Sequence, residues 1–263
     1  MSTLPHTFTD SATMLRRQLR HLVRYPSVTV LLLSIPIIFL LLFVYVFGGT
    51  LGAGLTGVSG GRRAYLDYVV PGIVLFTAVS TAQGTALSVA MDMTEGIVAR
   101  FRTMSIARAS VLAGHVLGSV IQAMVSIACT LAVALALGFR PTANPLRWLA
   151  TAGVLVAACF ALTWFSVALG LVSDSIETAS NLPMFLMLLP FLSSGFVPTA
   201  SMPAGLRWFA RYEPVTPVTE TVRGLLEGTP IGNNAVLALA WCAGIALLSY
   251  LWARRLYRRH AAR

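Results

Sequence analysis

Lysine is absent from this sequence of 263 residues: all 19 basic residues are arginine, against 9 acidic residues. Charged residues make up only 11% of the chain, whereas a soluble domain carries about 25%. So few charges cannot cover a water-facing surface, which excludes an ordinary soluble protein. Without lysine the chain also has no phosphate-binding loop of the GxxxxGK[ST] type, so any use of ATP must go through another polypeptide.

Neither the cysteines nor the glycine-rich segment indicates a cofactor. Cys129, Cys159 and Cys242 fall within apolar runs, and no pair has the spacing of a metal site or a redox CxxC motif. Residues 52–57 match GxGxxG, but this fingerprint binds dinucleotides only between a strand and a helix. Here it follows an apolar run, and we interpret residues 48–61 as a flexible connector. We therefore expect no metal and no cofactor on this chain.

Six apolar runs approach or exceed the roughly 20 residues that a helix needs to cross a bilayer core. They are residues 28–48, 69–91, 110–139, 148–172, 182–197 and 235–253. The fifth is short and contains Pro183 and Pro190. The sequence predicts an all-α polytopic membrane protein with six transmembrane helices, an N-terminal amphipathic interfacial helix, and re-entrant or short outer helices between spans 5 and 6.

The distribution of arginine predicts the orientation. With the N-terminus inside, the cytoplasmic segments hold 12 arginines and the outer segments hold 7. The outer ones are Arg62, Arg63, Arg140, Arg147, Arg207, Arg211 and Arg223. Because cytoplasmic flanks carry the excess of positive charge, we expect both termini in the cytoplasm of a bacterial cell, as a multi-pass protein of its membrane. The positive charge lies mostly beside apolar runs, which favours lipid and not nucleic acid as its partner.

Residues 1–27 form the first predicted unit, and residues 28–263 form the six-helix transmembrane domain. In the leader, apolar residues recur at helical spacing from Phe8 to Leu22. Arg16, Arg17, Arg20 and Arg24 occupy other positions. This pattern fits a helix lying in the cytoplasmic interface. It fits equally well an ordinary basic flank with no further role.

Residues 92–108 connect the second and third predicted spans and mix charges with apolar side chains. Asp92 and Glu95 precede Arg100, Arg102 and Arg108. A simple connector would not need the apolar Ile97, Phe101 and Met104 as well, so the mixture suggests a surface that docks a cytoplasmic protein. A solvated positive loop is the alternative.

Residues 199–234 are semi-apolar and predict two short helices at the outer side. Thr216-Pro217 resembles a helix start, and Gly228 resembles a stop. Within the spans, hydroxyl and small residues form one stripe that includes Thr77 and Thr81, and a second that begins at His115. Both stripes fit helix packing or contacts with a substrate.

Two stretches resemble a known family. One runs Asp92-x-x-x-Gly96-x-x-x-Arg100-x-Arg102, and the other runs from Pro190 through Ser193-Ser194-Gly195 to Arg223-Gly224-Leu225-Leu226-x-Gly228. Together with the six-span layout, they resemble the type-2 ABC exporter permeases, and within them the daunorubicin-resistance-like drug and lipid exporters. Ser105 departs from the family pattern, which commonly has proline near this position.

The resemblance implies a permease, not an enzyme, that exports an amphipathic antibiotic, lipid or glycolipid. Separate ATPase subunits would bind ATP and Mg²⁺ and power it, and a second identical or related permease would pair with it. The coupling residues implied are Asp92, Glu95, Gly96, Arg100, Arg102, Arg16, Arg17, Arg20 and Arg24. The substrate path implied, between spans 2 and 5, includes Thr77, Thr81, Gln83, Asn181, Met184 and Met187. The outer gate implied includes Trp208, Phe209, Tyr212 and Glu213.

Two other classes of function stay open. An ion-coupled secondary transporter predicts buried ionisable residues within the spans, and no Asp, Glu or Arg lies securely at the centre of one. A polytopic lipid-modifying enzyme predicts catalytic carboxylates or paired histidines at one membrane face, and the sequence shows no such cluster.

Overall fold

The computed structural model describes residues 26–56, 61–94, 108–173 and 175–260, and its secondary structure in these ranges is helical. The α-helices are α1 (Pro26–Leu42), α2 (Gly48–Thr56), α3 (Gly61–Thr94), α4 (Arg108–Ala136), α5 (Pro145–Val172), α6 (Ile176–Asn181), α7 (Ala204–Tyr212), α8 (Val215–Glu227) and α9 (Asn234–His260). A π-helical turn, Phe43–Phe47, joins α1 to α2. Two 3₁₀-helices, Leu182–Leu192 and Thr199–Ser201, lie between α6 and α7.

Five stretches of helix within the described ranges are long and apolar enough to cross a membrane. They are Leu33–Leu55, Gly61–Asp92, Gly114–Ala136, Pro145–Val172 and Asn234–Leu256. These correspond to predicted spans 1, 2, 3, 4 and 6, and the all-helical polytopic fold is confirmed. The predicted leader helix of residues 1–27 falls almost entirely outside the described residues.

The fifth predicted span, residues 182–197, differs from the structure at both ends. The apolar helix there is Ile176–Leu192 and is shorter than the five spanning stretches. Pro183 and Pro190 lack the N–H that an α-helix needs, and from Leu182 the helix is 3₁₀. It ends where the Ser193 hydroxyl donates to the carbonyl of Pro190 at 2.6 Å and accepts the N–H of Gly195 at 3.0 Å.

The prediction of a flexible connector at residues 48–61 is wrong for its first part, because α2 continues as a helix to Thr56. Gly52 explains why glycine is needed there. A Cβ atom on Gly52 would lie 3.2 Å from the Cα of Gly61, so α2 and the start of α3 approach backbone to backbone. Glycine here permits close helix packing.

Helix α3 lies at the centre of the fold and packs against α2, α4 and α5. Val69, Ile73 and Val74 on this helix are fully buried. Around the first half of α3, aromatic rings join α1, α3 and the segment after the 3₁₀-helix. The ring centroids of Phe191 and Phe196 are 4.6 Å apart, and those of Phe39 and Phe76 are 5.0 Å apart. This packing holds the 3₁₀-helix against span 2.

Candidate transport site

Residues 193–198, which we call the outer loop after the orientation predicted from the sequence, are fixed to α3 and α8 by three hydrogen bonds. The Tyr68 hydroxyl donates to the carbonyl of Ser194 at 2.8 Å, and the Tyr65 hydroxyl donates to the carbonyl of Phe196 at 3.2 Å. The Ser194 N–H donates to the Thr216 hydroxyl at 3.0 Å. Irregular backbone at membrane depth must satisfy its polar groups within the protein. The outer loop meets this requirement through span 2 and α8.

Arg223 of α8 completes this connection from a buried position. Its Nη2 donates to the carbonyl of Ser194 at 2.9 Å and to that of Tyr68 at 3.1 Å. Its Nη1 donates to Glu220 at 2.5 Å, and its guanidinium lies over the Tyr68 ring. From the sequence, Arg223 is an outer charge and part of the family motif, with no predicted contact. The signal for its burial is a basic residue directly beside the apolar stripe Val218, Val222, Leu225 and Leu226.

The outer loop also touches α3 through two glycines. A Cβ atom on Gly72 would lie 2.7 Å from the Cα of Gly195, too close for any side chain. Both residues are therefore glycine for a packing reason, since the backbones of span 2 and the outer loop are in direct contact here.

Helix α8 begins at Val215, one residue before the predicted start at Thr216, and Glu213 caps its first turn. Its carboxylate accepts the N–H groups of Val215 at 2.7 Å and Thr216 at 2.5 Å, which are free donors at a helix start. Burial of the side chain raises its pKa to about 7, although these hydrogen bonds oppose the rise. The end of α8 agrees with the prediction, because Gly228 is left-handed and donates to the carbonyl of Gly224.

The four predicted outer-gate residues do not form one group. Glu213 is 5% exposed and belongs to the cap of α8. Trp208 and Tyr212 are 68% and 61% exposed on α7, with ring centroids 5.6 Å apart, and Phe209 is also exposed. The three aromatic residues thus form an exposed apolar surface, whereas Glu213 binds backbone N–H groups at the start of α8.

A half-open cavity of about 290 Å³ lies between α3, the 3₁₀-helix, α5, α8 and α9. Its lining is almost entirely apolar: Leu75, Val79, Ala158, Ala161, Leu162, Phe165, Phe185, Leu186, Leu189, Pro214, Val215, Val218, Trp241, Cys242, Ile245, Leu248 and Ser249. Ligand cavities in proteins begin at about this size and are mostly apolar. The cavity suits the apolar part of a ligand.

The predicted path residues of span 2 lie on the opposite side of α3 from this cavity. Thr77 and Thr81 are buried, and each hydroxyl donates to a carbonyl one turn earlier in the helix. Thr77 also approaches Thr130 of α4 at 3.4 Å. Leu75 and Val79 line the cavity instead. Residues two positions apart on a helix point about 200° away from each other, as Thr77 and Val79 do. The stripe with Thr77 and Thr81 therefore faces α4 and supports helix packing.

The other four predicted path residues lie around α6 and the 3₁₀-helix. Gln83 donates to the carbonyl of Ser180 at 3.2 Å and so connects α3 to α6. Asn181 is exposed at the end of α6, Met184 is 61% exposed, and Met187 is half-buried against the core. None of these side chains is among those that line the apolar cavity.

Asp92 and His115 join α3 to α4 at the opposite end of the bundle. The Nε2 of His115 and the Oδ2 of Asp92 are 2.9 Å apart, and both side chains are largely buried. The remaining predicted coupling residues lie outside the described residues: Glu95, Gly96, Arg100, Arg102, Arg16, Arg17, Arg20 and Arg24.

Together, the spanning helices and the short helices α7 and α8 define a multi-pass membrane protein with an apolar cavity among its helices. The family model for ABC-2 type transporters matches residues 10–226. The chain belongs to this family, and it is a membrane permease component of an ABC transporter, as predicted.

Two relatives extend this assignment. The chain is 30% identical over 259 residues to the daunorubicin resistance ABC transporter permease protein DrrB1 of Streptomyces coeruleorubidus, covering 95% of this chain and 89% of the relative. It is 26% identical over 220 residues to the probable doxorubicin resistance ABC transporter permease protein DrrC of Mycobacterium tuberculosis, covering 81% and 75%. Like these relatives, the chain is a permease subunit of an ABC transporter in a cell membrane.

Proposed function

We propose that this permease exports amphipathic drug-like molecules, whose apolar part binds in the cavity between α3, α5, α8 and α9. The apolar lining of that cavity is the observation that carries the proposal. The two relatives named for resistance to daunorubicin and doxorubicin favour the same substrate class. The half-open shape suits entry from the surrounding membrane, where an amphipathic molecule concentrates.

ATP hydrolysis by separate subunits drives the export in this proposal. The chain has no lysine for a phosphate-binding loop. Residues 95–107 would dock the ATPase, with Glu95, Gly96, Arg100 and Arg102 contributing, while the Asp92–His115 pair holds the two helix ends that carry this loop. The leader arginines Arg16, Arg17, Arg20 and Arg24 would extend the docking surface. ATP and Mg²⁺ belong to the partner subunit.

A second permease, identical or related, would complete the transporter. Met184, Phe185 and Leu188 on the 3₁₀-helix are about half exposed or more in the single chain. So are Ile38 and Tyr45 on the first span. These faces are suited to contact a second permease or lipid. Both termini would lie in the cytoplasm, which places α7, α8 and the outer loop on the outer side.

Reconstitution with candidate ATPase chains tests the proposal. The permease is co-expressed with each ATPase, purified as a complex and placed in lipid vesicles. We expect one ATPase to co-purify and to drive ATP-dependent movement of doxorubicin, detected by its fluorescence. A vesicle with the ATPase but no permease is the control. A correctly folded permease that binds none of the ATPases would contradict the ATP-driven part of the proposal, and ATP-driven transport that excludes amphipathic drugs would contradict the substrate class.

A further inference from the structure

We propose that three arginines at the outer end of the bundle bind the phosphate of an anionic phospholipid. Arg62 and Arg63 at the start of α3 and Arg140 after α4 line one cavity of about 290 Å³. Val44, Tyr45, Leu66, Leu137 and Gly138 complete its lining. The cavity is separate from the apolar one, and the function proposed above does not use it.

The charge around this cavity favours an anion. None of its lining residues is acidic. Asp67 interacts electrostatically with Arg63 and accepts the backbone N–H of Arg140, but it does not line the cavity. Among the described residues, the carboxylate ion pairs engage His115 and Arg223, and no carboxylate pairs with these three arginines. Asp67 offsets only part of the charge of the three arginines, so an anion that binds between them is stabilised by the remaining positive charge.

Two of the three guanidinium groups are also held in place. Arg62 lies over the ring of Tyr45, with its Cζ 4.9 Å from the ring centroid. Arg140 donates to the carbonyls of Leu135 at 3.3 Å and Phe139 at 3.4 Å. Arg63 has neither a ring contact nor an ion pair within the described ranges, and it is exposed. A guanidinium can bind phosphate through two parallel hydrogen bonds, which suits such a site.

The position of the cavity favours a lipid over a free anion. It lies where the first span, the start of α3 and the segment directly after α4 meet, beside exposed apolar side chains. Next to it, Ile38 and Leu41 on the first span are exposed, as is Leu135 on α4. A lipid whose phosphate contacts the arginines can therefore lay its acyl chains along these apolar faces. The binding itself is independent of orientation; only its assignment to the outer leaflet rests on the orientation proposed above.

Native mass spectrometry of the full chain with phosphatidylglycerol, phosphatidylcholine of the same acyl chains, or inorganic phosphate tests this site. We expect the wild type to retain phosphatidylglycerol in preference to phosphatidylcholine and not to retain inorganic phosphate. R63Q, the least disruptive change, is expected to weaken phosphatidylglycerol binding about fivefold, and R62A/R63A/R140A about a hundredfold, since each arginine near a membrane surface contributes similarly.

A triple variant, R211A/R254A/R255A, removes the same charge at exposed positions away from the cavity and is the matched control. It is expected to bind phosphatidylglycerol as the wild type does. Equal losses in both triple variants would show that net charge alone attracts the lipid and would overturn the proposal, as would equal binding of the two lipids. Retention of inorganic phosphate with no lipid preference would overturn the lipid assignment. The assay needs no ATPase, so its outcome is independent of the transport proposal.

Discussion

Arg223 stacks on Tyr68: its Cζ lies 3.9 Å from the centroid of the tyrosine ring, and its Nη2 donates to the Tyr68 carbonyl. The same Nη2 and the Tyr68 hydroxyl both donate to the carbonyl of Ser194. One carbonyl oxygen of the outer loop thus receives donors from span 2 and from α8. Any movement that separates these elements must break this shared contact.

Replacement of Arg223 by lysine should destabilise the protein. A lysine ammonium lacks the planar fork that reaches Ser194, Tyr68 and Glu220 together. Since hydrogen bonds of charged groups contribute about 1.5–3 kcal/mol each, we expect a loss of about 2 kcal/mol in the free energy of unfolding. Thermal unfolding in detergent measures it, with Arg211→Lys, at an exposed site, as the control. An unchanged melting temperature for Arg223→Lys would show that the contact adds no stability.

Gly72→Ala should also destabilise the protein, because its methyl group would collide with the backbone of Gly195. Overpacking of this kind typically costs about 1–3 kcal/mol. Gly153→Ala on α5 is the matched control, since a Cβ there meets nothing within 4 Å. We expect the control to melt at or slightly above the wild-type temperature, as alanine favours helix over glycine. The experiment contradicts the packing role if both variants behave alike.

The cap at Glu213 should make stability depend on pH. Burial raises the pKa of Glu213 from 4.5 to about 7 in the folded protein. The folded state therefore binds the Glu213 proton more tightly than the unfolded state does. The stabilisation of the folded state by this proton is complete below pH 4.5 and is lost as the pH rises to about 7. Glu213→Gln cannot titrate. The difference in melting temperature between wild type and variant should therefore change across this window and be flat above it.

Glu227 has a similarly raised pKa of about 7 and stays in both proteins, so the comparison isolates Glu213. A difference that is constant from pH 4 to pH 8 would mean that Glu213 does not titrate there.

The Asp92–His115 pair should couple in a double-mutant cycle. Asp92→Asn, His115→Ala and the double variant are compared with the wild type by thermal unfolding. Because the two side chains touch at 2.9 Å, we expect an interaction energy of roughly 0.5–3 kcal/mol. Glu177→Gln, on the exposed surface of α6, replaces Asp92→Asn in a control cycle with His115→Ala. Additive effects in the first cycle would exclude a direct interaction.

Filling the apolar cavity should weaken drug transport without changing the fold. Leu162→Trp places a larger ring in the lining, whereas Val156→Trp on the same helix points to an exposed position. In reconstituted vesicles, we expect Leu162→Trp to raise the KM for doxorubicin about tenfold, and Val156→Trp to leave it near the wild-type value. Equal transport by the two variants would place the drug elsewhere.

The sequence by itself determined the membrane class, the helical fold, five of the spans and the two short helices before the last span. These follow from hydrophobic runs, scarce charge, and the glycine and proline signals at the helix ends, all of which act locally along the chain. The permease family was also recognisable from short motifs around Asp92 and Arg223. These features can be predicted without knowing which helices are in contact.

Only the tertiary structure decided what the polar residues do. Thr77 and Thr81 face α4 and not the cavity, Glu213 caps α8, and Arg223 is buried against span 2. Arg62 and Arg63 share one cavity with Arg140, although the pair and Arg140 are far apart in the chain. A membrane helix can carry polar side chains on any face where a neighbouring segment forms hydrogen bonds with them. The spacing of polar residues along the sequence therefore does not identify which segment forms those bonds. That choice depends on packing between segments distant in the chain, which decides where each hydrogen bond and charge is compensated.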